Sequence, residues 1–162
     1  MKITKAHVAG ALSIYISFVF IQSLFFKFTG SPETDHIFGA LDSWAAGLGF
    51  PGLFAPGGLF NAHVIGSAEL VASILMLAGL FLGRPLIQGI GALMSLGVIS
   101  GAIFFHLFTP LGVEVVNTDG SSDGGLLFIM ACGVWISAAV IIWLRRDILL
   151  ALLPLPAAKG RA

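Results

Sequence analysis

Residues 60–108 read FNAHVIGSAELVASILMLAGLFLGRPLIQGIGALMSLGVISGAIFFHLF. Two apolar runs, 60–82 and 86–108, are joined by Gly83-Arg84-Pro85. A helix needs about 20 apolar residues to cross the hydrocarbon core of a bilayer, and each run meets that length. A turn so short leaves the second run no course but back alongside the first, so the stretch predicts an antiparallel transmembrane hairpin. Two further runs qualify. One covers about 7–28 and ends in Phe25-Phe26-Lys27-Phe28; the other covers about 125–144, opened by Ser121-Ser122-Asp123-Gly124-Gly125 and closed by Arg145-Arg146. The fold class that follows is an all-α integral membrane protein, an antiparallel four-helix transmembrane bundle forming one membrane domain over 1–162.

Composition agrees. Of 162 residues, 57% are hydrophobic and 10% charged, and the mean hydropathy is +1.02. A water-soluble domain carries about 25% charged residues, so this chain lacks the polar surface that water demands. Net charge is zero, with no basic patch for nucleic acid. The single cysteine, Cys132, lies in an apolar run without a partner for a disulfide or a CxxC motif, which argues against thiol–disulfide exchange by this chain alone. The start Met1-Lys2-Ile3-Thr4-Lys5 resembles the basic head of a signal peptide. The apolar run behind it is longer than a typical signal core and lacks an A-x-A cleavage site, so it reads as a retained first span.

Basic residues set the expected orientation. With the N-terminus inside, Lys2, Lys5, Arg84, Arg145, Arg146, Lys159 and Arg161 all lie inside, 7 of the 8 basic residues; the reverse topology leaves only Lys27 there. The positive-inside rule therefore predicts N-in and C-in, and an outer face carrying Glu33, Asp35, Asp42, Glu114, Asp119 and Asp123. In the outer loop 29–59, Phe38, Leu41, Trp44 and Leu48 recur at helical spacing. They predict a short amphipathic helix on the outer interface, with its tryptophan at headgroup level. The second outer loop, 109–124, holds the turn signal Asn117-Thr118-Asp119-Gly120. The cytoplasmic tail 145–162, with Pro154 and Pro156, reads as an interfacial segment that frays.

Polar residues at membrane depth are the informative ones. Glu69 lies nine residues inside the 60–82 run, roughly 13 Å below its outer end at 1.5 Å per residue. Its helical neighbours Ala62, Gly66, Ala72 and Ser73 are small, which places it on a close helix–helix seam. A carboxyl there is either a protonated or paired structural group, or a proton relay or ligand to a polar substrate group. Lys27, on a stripe with Ser13, Ser17, Phe20 and Leu24, is either a snorkelling marker of the interface or a partner within reach of Glu69. His63 and His106 stand 21 residues before and 22 after Arg84, hence at nearly one height on adjacent helices. That is the layout of a bis-imidazole haem or metal site; the alternatives are a hydrogen-bonded quinone head group, preferred over haem, and interfacial histidines bonded to water or backbone. Gly97-Val98-Ile99-Ser100-Gly101 is a GxxxG, a packing face for another helix. His7 and His36 sit at water-facing ends and carry no chemistry.

Phe20-Ile21-Gln22-Ser23-Leu24-Phe25-Phe26-Lys27-Phe28 resembles the first-span signature of the DoxX-like membrane proteins, which end that helix on a lysine. Ser67-Ala68-Glu69-Leu70-Val71 through Leu77-Ala78-Gly79-Leu80 is similar to their second-span run, and the four spans and basic turn agree too. Gln22 departs from the family pattern, in which many members have a small residue. The resemblance implies a four-helix bundle tied to redox systems, akin to the membrane subunit of a thiosulfate:quinone oxidoreductase, with Lys27 and Glu69 the residues carried over.

Together these readings predict a multi-pass protein of a bacterial inner membrane. It binds a quinone or similar amphipathic ligand through Lys27, Glu69, His63 and His106, with no metal site of its own. At most it is the membrane subunit of a quinone-linked oxidoreductase, with a membrane-protein partner or a second copy beside it and the lipid bilayer around it. The alternative is a non-catalytic accessory or assembly subunit whose polar residues only hold the bundle together. A small-solute carrier is disfavoured, since four short unbroken spans leave little room for alternating access.

Overall fold

The computed structural model describes residues 4–152. Five helices account for most of them: α1 Lys5–Thr29, α2 Pro32–Gly47, α3 Ala62–Phe81, α4 Pro85–Phe108 and α5 Leu126–Leu150. Among the described residues there is no β-strand, only an isolated antiparallel bridge between Val116 and Ser122. Helices α1, α3, α4 and α5 are long and apolar enough to cross a membrane, and they are the four runs of the sequence.

Local chemistry sets the boundaries. The Thr4 hydroxyl caps α1 by accepting from the His7 amide, while the His7 ring reaches back to the Thr4 amide. The helix stops at Gly30, which takes the left-handed conformation at φ 63° at little steric cost. Ser31 then caps α2, Pro32 occupies its first position, and Glu33 and Asp35 lie in its first turn, where the helix dipole favours negative charge. Asn61 caps α3 by accepting from the Val64 amide. At the hairpin Gly83 has φ 62° and Pro85 opens α4.

Packing runs round a ring: α1 against α3, α3 against α4, α4 against α5, and α5 back against α1. Each neighbour runs antiparallel to the last, as side-chain contacts show. Lys27 near the end of α1 meets Glu69 in the first half of α3, and Gln88 at the start of α4 meets Arg145 near the end of α5. The bundle core holds Ile16, Phe20, Ala72, Met76, Ala92, Ile99, Val134 and Ile141, among others. A second, smaller core lies where α2 and the two long connections meet the end of α4, built from Leu41, Ala45, Phe54, Leu111 and Val115. Asp42 fastens it, its Oδ1 accepting from the amides of Phe54 (3.0 Å) and Ala55 (3.2 Å).

Three expectations change. The helix that holds the fourth span does not stop at 144: α5 runs on to Leu150, because the two arginines expected to end it are accommodated on the helix. Arg145 bonds Gln88 of α4, and Arg146 lies 5.0 Å over the Trp143 ring and 3.7 Å from Asp147. The fraying expected from Arg145 is therefore absent up to Leu150, and Pro154 and Pro156 lie outside the described residues. Helix α2 exists, but it ends before Leu48, which is exposed; Ala45 supplies the buried contact instead, and Trp44 sets its ring edge-on to Phe104 and Phe105 of α4. Finally, Gly97-x-x-x-Gly101 faces no other helix among the described residues. A Cβ at Gly97 would meet nothing within 4 Å, and one at Gly101 only Phe105 of the same helix. The close approach of α3 and α4 rests on Gly79 and Gly91 instead, where an added Cβ would collide with the backbone of Gln88 and of Met76 respectively.

Candidate functional site

The expected stripe on α1 is real: Ser13, Ser17, Phe20 and Leu24 are all buried. It continues one turn further to Ser23 and Lys27, and so brings the ammonium against α3. There Gly66 has no side chain, and the rings and methyls of Phe28 and Leu24 fill the space that a Cβ would need. That close seam sets Lys27 directly on Glu69. The Lys27 Nζ donates to Glu69 Oε1 at 3.0 Å and to Oε2 at 2.9 Å, and to Ser23 Oγ at 3.0 Å. The Ser23 hydroxyl lies 2.7 Å from Glu69 Oε2 and 2.8 Å from the Phe20 carbonyl oxygen, two acceptors for its one proton. The two charged side chains are 16% and 7% exposed, so the pair is largely withdrawn from its surroundings.

Glu69 is the eighth residue of α3, which puts it roughly 10 Å from the helix start at 1.5 Å per residue, above the middle of a 20-residue helix. A lone carboxylate there would carry the desolvation penalty of an apolar environment; an ammonium at hydrogen-bond distance offsets it. All three ammonium protons are used inside the triad, and both carboxylate oxygens are engaged. The arrangement can hold an acceptor group by lending it one of the lysine protons, and it keeps a carboxylate next to that group.

The two histidines do share an end of the α3–α4 hairpin, as second residue of α3 and third from last of α4. Their surroundings differ, and among the described residues neither a hydrogen bond nor a ring contact joins them. His63 is exposed and stacks on Phe28, centroids 5.9 Å apart, one residue along from Lys27. His106 is buried, with Nδ1 2.7 Å from the Gly112 carbonyl oxygen and its ring edge-on to Phe128. A carbonyl only accepts, so Nδ1 carries a proton and donates it there. No group of three or more metal-ligating side chains occurs among the described residues.

A second polar cluster at the opposite end of the bundle has no counterpart in the sequence reading. Gln88, on α4 and 1% exposed, donates through Nε2 to Ser13 Oγ at 2.8 Å and to the Ala9 carbonyl at 3.4 Å. Its Oε1 accepts from Arg145 Nε at 3.0 Å and Nη2 at 2.8 Å. The only hint in the sequence is one glutamine in an apolar span; that an arginine 57 positions later reaches it depends on how α5 folds back. Ser23 was equally hidden, since a serine one turn before a lysine is common on any helix.

The connection between α4 and α5 is organised by Asp123. Its Oδ1 accepts from the amides of Val115 (2.8 Å) and Gly125 (3.0 Å), and its Oδ2 from Leu127 (3.0 Å) in the first turn of α5. Burial pushes this carboxyl up, but the three amides and the nearby His106 outweigh it and hold the pKa below the ordinary 3.8. The Asn117–Gly120 turn forms as expected, closed by the Gly120 amide on the Asn117 carbonyl. Asp119 there is also held low, by the hydroxyl and amide of Ser121.

Comparison with protein-family models, with curated proteins and with solved structures found no match for this chain. The fold and the two clusters therefore define its class: an all-helical protein with four helices fit to cross a membrane, carrying an ion pair within the bundle.

Proposed function

We propose that the protein is a redox-associated subunit of a bacterial inner membrane, N-in and C-in, with α2 lying on the outer interface. In this reading it binds the head group of a quinone or similar amphipathic ligand beside a membrane partner. The observation that carries the reading is the Lys27–Ser23–Glu69 triad. An ion pair inside an apolar bundle is a weak stabiliser compared with well-packed apolar side chains, whereas ionisable groups at membrane depth mark ligand and proton pathways by default. The donor set suits a carbonyl: the ammonium donates, with the Ser23 hydroxyl and the Glu69 carboxylate beside it. His63, stacked on Phe28 next to Lys27, and His106 are further polar groups at this end. The resemblance to DoxX-like proteins points the same way.

One observation favours the accessory-subunit alternative: all three lysine protons are already used within the triad, so ligand binding has to displace an internal bond. Lipid extracts of the protein purified from membranes separate the two. The ligand reading expects a co-purifying quinone that is lost in Lys27→Met and reduced in Glu69→Gln, with the helical fold intact. A wild-type protein free of any such molecule, in stoichiometric complex with a partner that survives both substitutions, establishes the accessory role.

A further inference from the structure

The geometry around Gln88 points to a binding site for a phosphate group at the end of the bundle where α1 and α4 begin. A cavity of about 220 Å³ opens there, lined by Ala6, Gly79, Gly83, Pro85, Gln88 and Arg145, among others. Arg145 is part-buried in its wall and has no carboxylate within 4 Å among the described residues; the ion pairs present there are Lys27–Glu69 and Arg146–Asp147. Its guanidinium is nevertheless held in place. Gln88 is anchored through its amide nitrogen to Ser13 and the Ala9 carbonyl, and its single oxygen takes both Nε and one proton of Nη2. Of the five N–H groups of an arginine, two are thus spent on one edge. The Nη1–Nη2 edge, with three protons, has no partner among the described residues, and that fork matches two oxygens of a phosphate.

The level is right for such a ligand. Ala6 is the second residue of α1 and Pro85 the first of α4, so the cavity lies where the apolar helices end, the depth at which a bilayer places its phosphates. Arg84, beside it, gives α4 no side-chain cap, which leaves the positive end of that helix to add to the field. Lining the rest with Gly79, Leu80 and Ala6 gives an acyl or glycerol portion apolar contact. The site suits a phosphate monoanion or diester, whether on an anionic phospholipid or free in solution, and it makes Arg145 the residue that binds it and Gln88 the residue that aims it.

Native mass spectrometry of the full-length protein in detergent, with added phosphatidylglycerol, tests this. Wild type and Arg146→Gln are expected to retain one lipid through detergent removal. Arg145→Gln is expected to bind about tenfold more weakly, the loss of a charge-assisted hydrogen-bonded contact. Arg145→Lys, which keeps the charge and loses the fork, serves where the glutamine variant does not fold, and is also expected to weaken binding. Millimolar inorganic phosphate that displaces the lipid identifies a free anion as a sufficient ligand; lipid that resists it identifies the headgroup with its glycerol. Equal losses in Arg145→Gln and Arg146→Gln, or unchanged retention in both Arg145 variants, overturn the site, the first because it reduces the effect to general surface charge.

Discussion

The two ends of the bundle solve one problem in different ways. Each joins a cation to a serine of α1 and a polar side chain of a neighbouring helix, Lys27 directly and Arg145 through Gln88. At the α1 terminus near Gly30, the cation is Lys27 and its partner is the carboxylate of Glu69, so the charges cancel inside the triad. At the opposite end the cation is Arg145 and its partner is the neutral amide of Gln88, so the charge is positioned but left uncompensated within the described residues. A compensated pair is closed and has to be opened to act. An uncompensated one is held ready for an anion from outside. The small residues beneath them differ in the same way: Gly66 makes room for the side chains of Phe28 and Leu24, which can shift, while Gly79 lies against the backbone of Gln88, which cannot.

The largest expected effect breaks the compensated end. Lys27→Met strands Glu69 with only Ser23 for a partner and is expected to cost about 3–5 kcal/mol, or to force protonation of the carboxyl. Arg145→Met removes donors from a buried but neutral oxygen and is expected to cost about 1–3 kcal/mol. Reversible unfolding of both variants in mixed micelles measures the contrast, and equal costs would erase the distinction between the ends.

The glycines sharpen it on a smaller scale. Gly79→Ala pushes a methyl into the α4 backbone, an overpacking expected to cost about 1–3 kcal/mol. Gly66→Ala meets a phenylalanine ring 2.9 Å away, which can rotate aside, and is expected to cost less. Melting temperatures of the two variants, compared under one detergent condition, decide the order; a costlier Gly66→Ala would show that the α1–α3 seam is the rigid one.

The smallest effect lies outside the bundle. Asp123→Ala removes the acceptor for three amides, including that of Leu127 in the first turn of α5, and is expected to cost about 1 kcal/mol. Because the folded-state pKa of Asp123 lies below the ordinary 3.8, its contribution is complete above that ordinary value. It is lost as pH falls through the lowered folded value. The protection factors of the Val115 and Leu127 amides, exchange rates corrected for their intrinsic pH dependence, are expected to fall in wild type only on such acidification, and to be low and insensitive to that change in Asp123→Ala.

Much of the bundle could be read in the sequence because long apolar runs report on lipid directly, and a three-residue turn dictates an antiparallel neighbour. The Lys27–Glu69 seam was legible for the same kind of reason: small residues flanking Glu69 and a serine stripe below Lys27 are local, periodic signals. What escaped depended on residues far apart in the chain. The Gln88–Arg145 contact joins a helix start to a helix end across 57 positions, and Arg145 looked like a stop signal because a basic pair after an apolar run usually is one. The GxxxG at Gly97 misled since small spacing marks a possible seam without saying whether a helix of the same chain fills it. Gly79 and Gly91, which do support one, form no such pattern.

Whether Lys27 and Glu69 act as one unit is read directly by a double-mutant cycle. Stability is measured for wild type, Lys27→Met, Glu69→Gln and the combined variant. The expected result is a double variant less damaged than the sum of the singles, with a coupling of about 1–3 kcal/mol, the range for contacting groups, because removing the lysine is harmful chiefly through the carboxylate it leaves behind. Losses that simply add, within about 0.5 kcal/mol, would contradict it and leave two independent side chains that happen to lie close together.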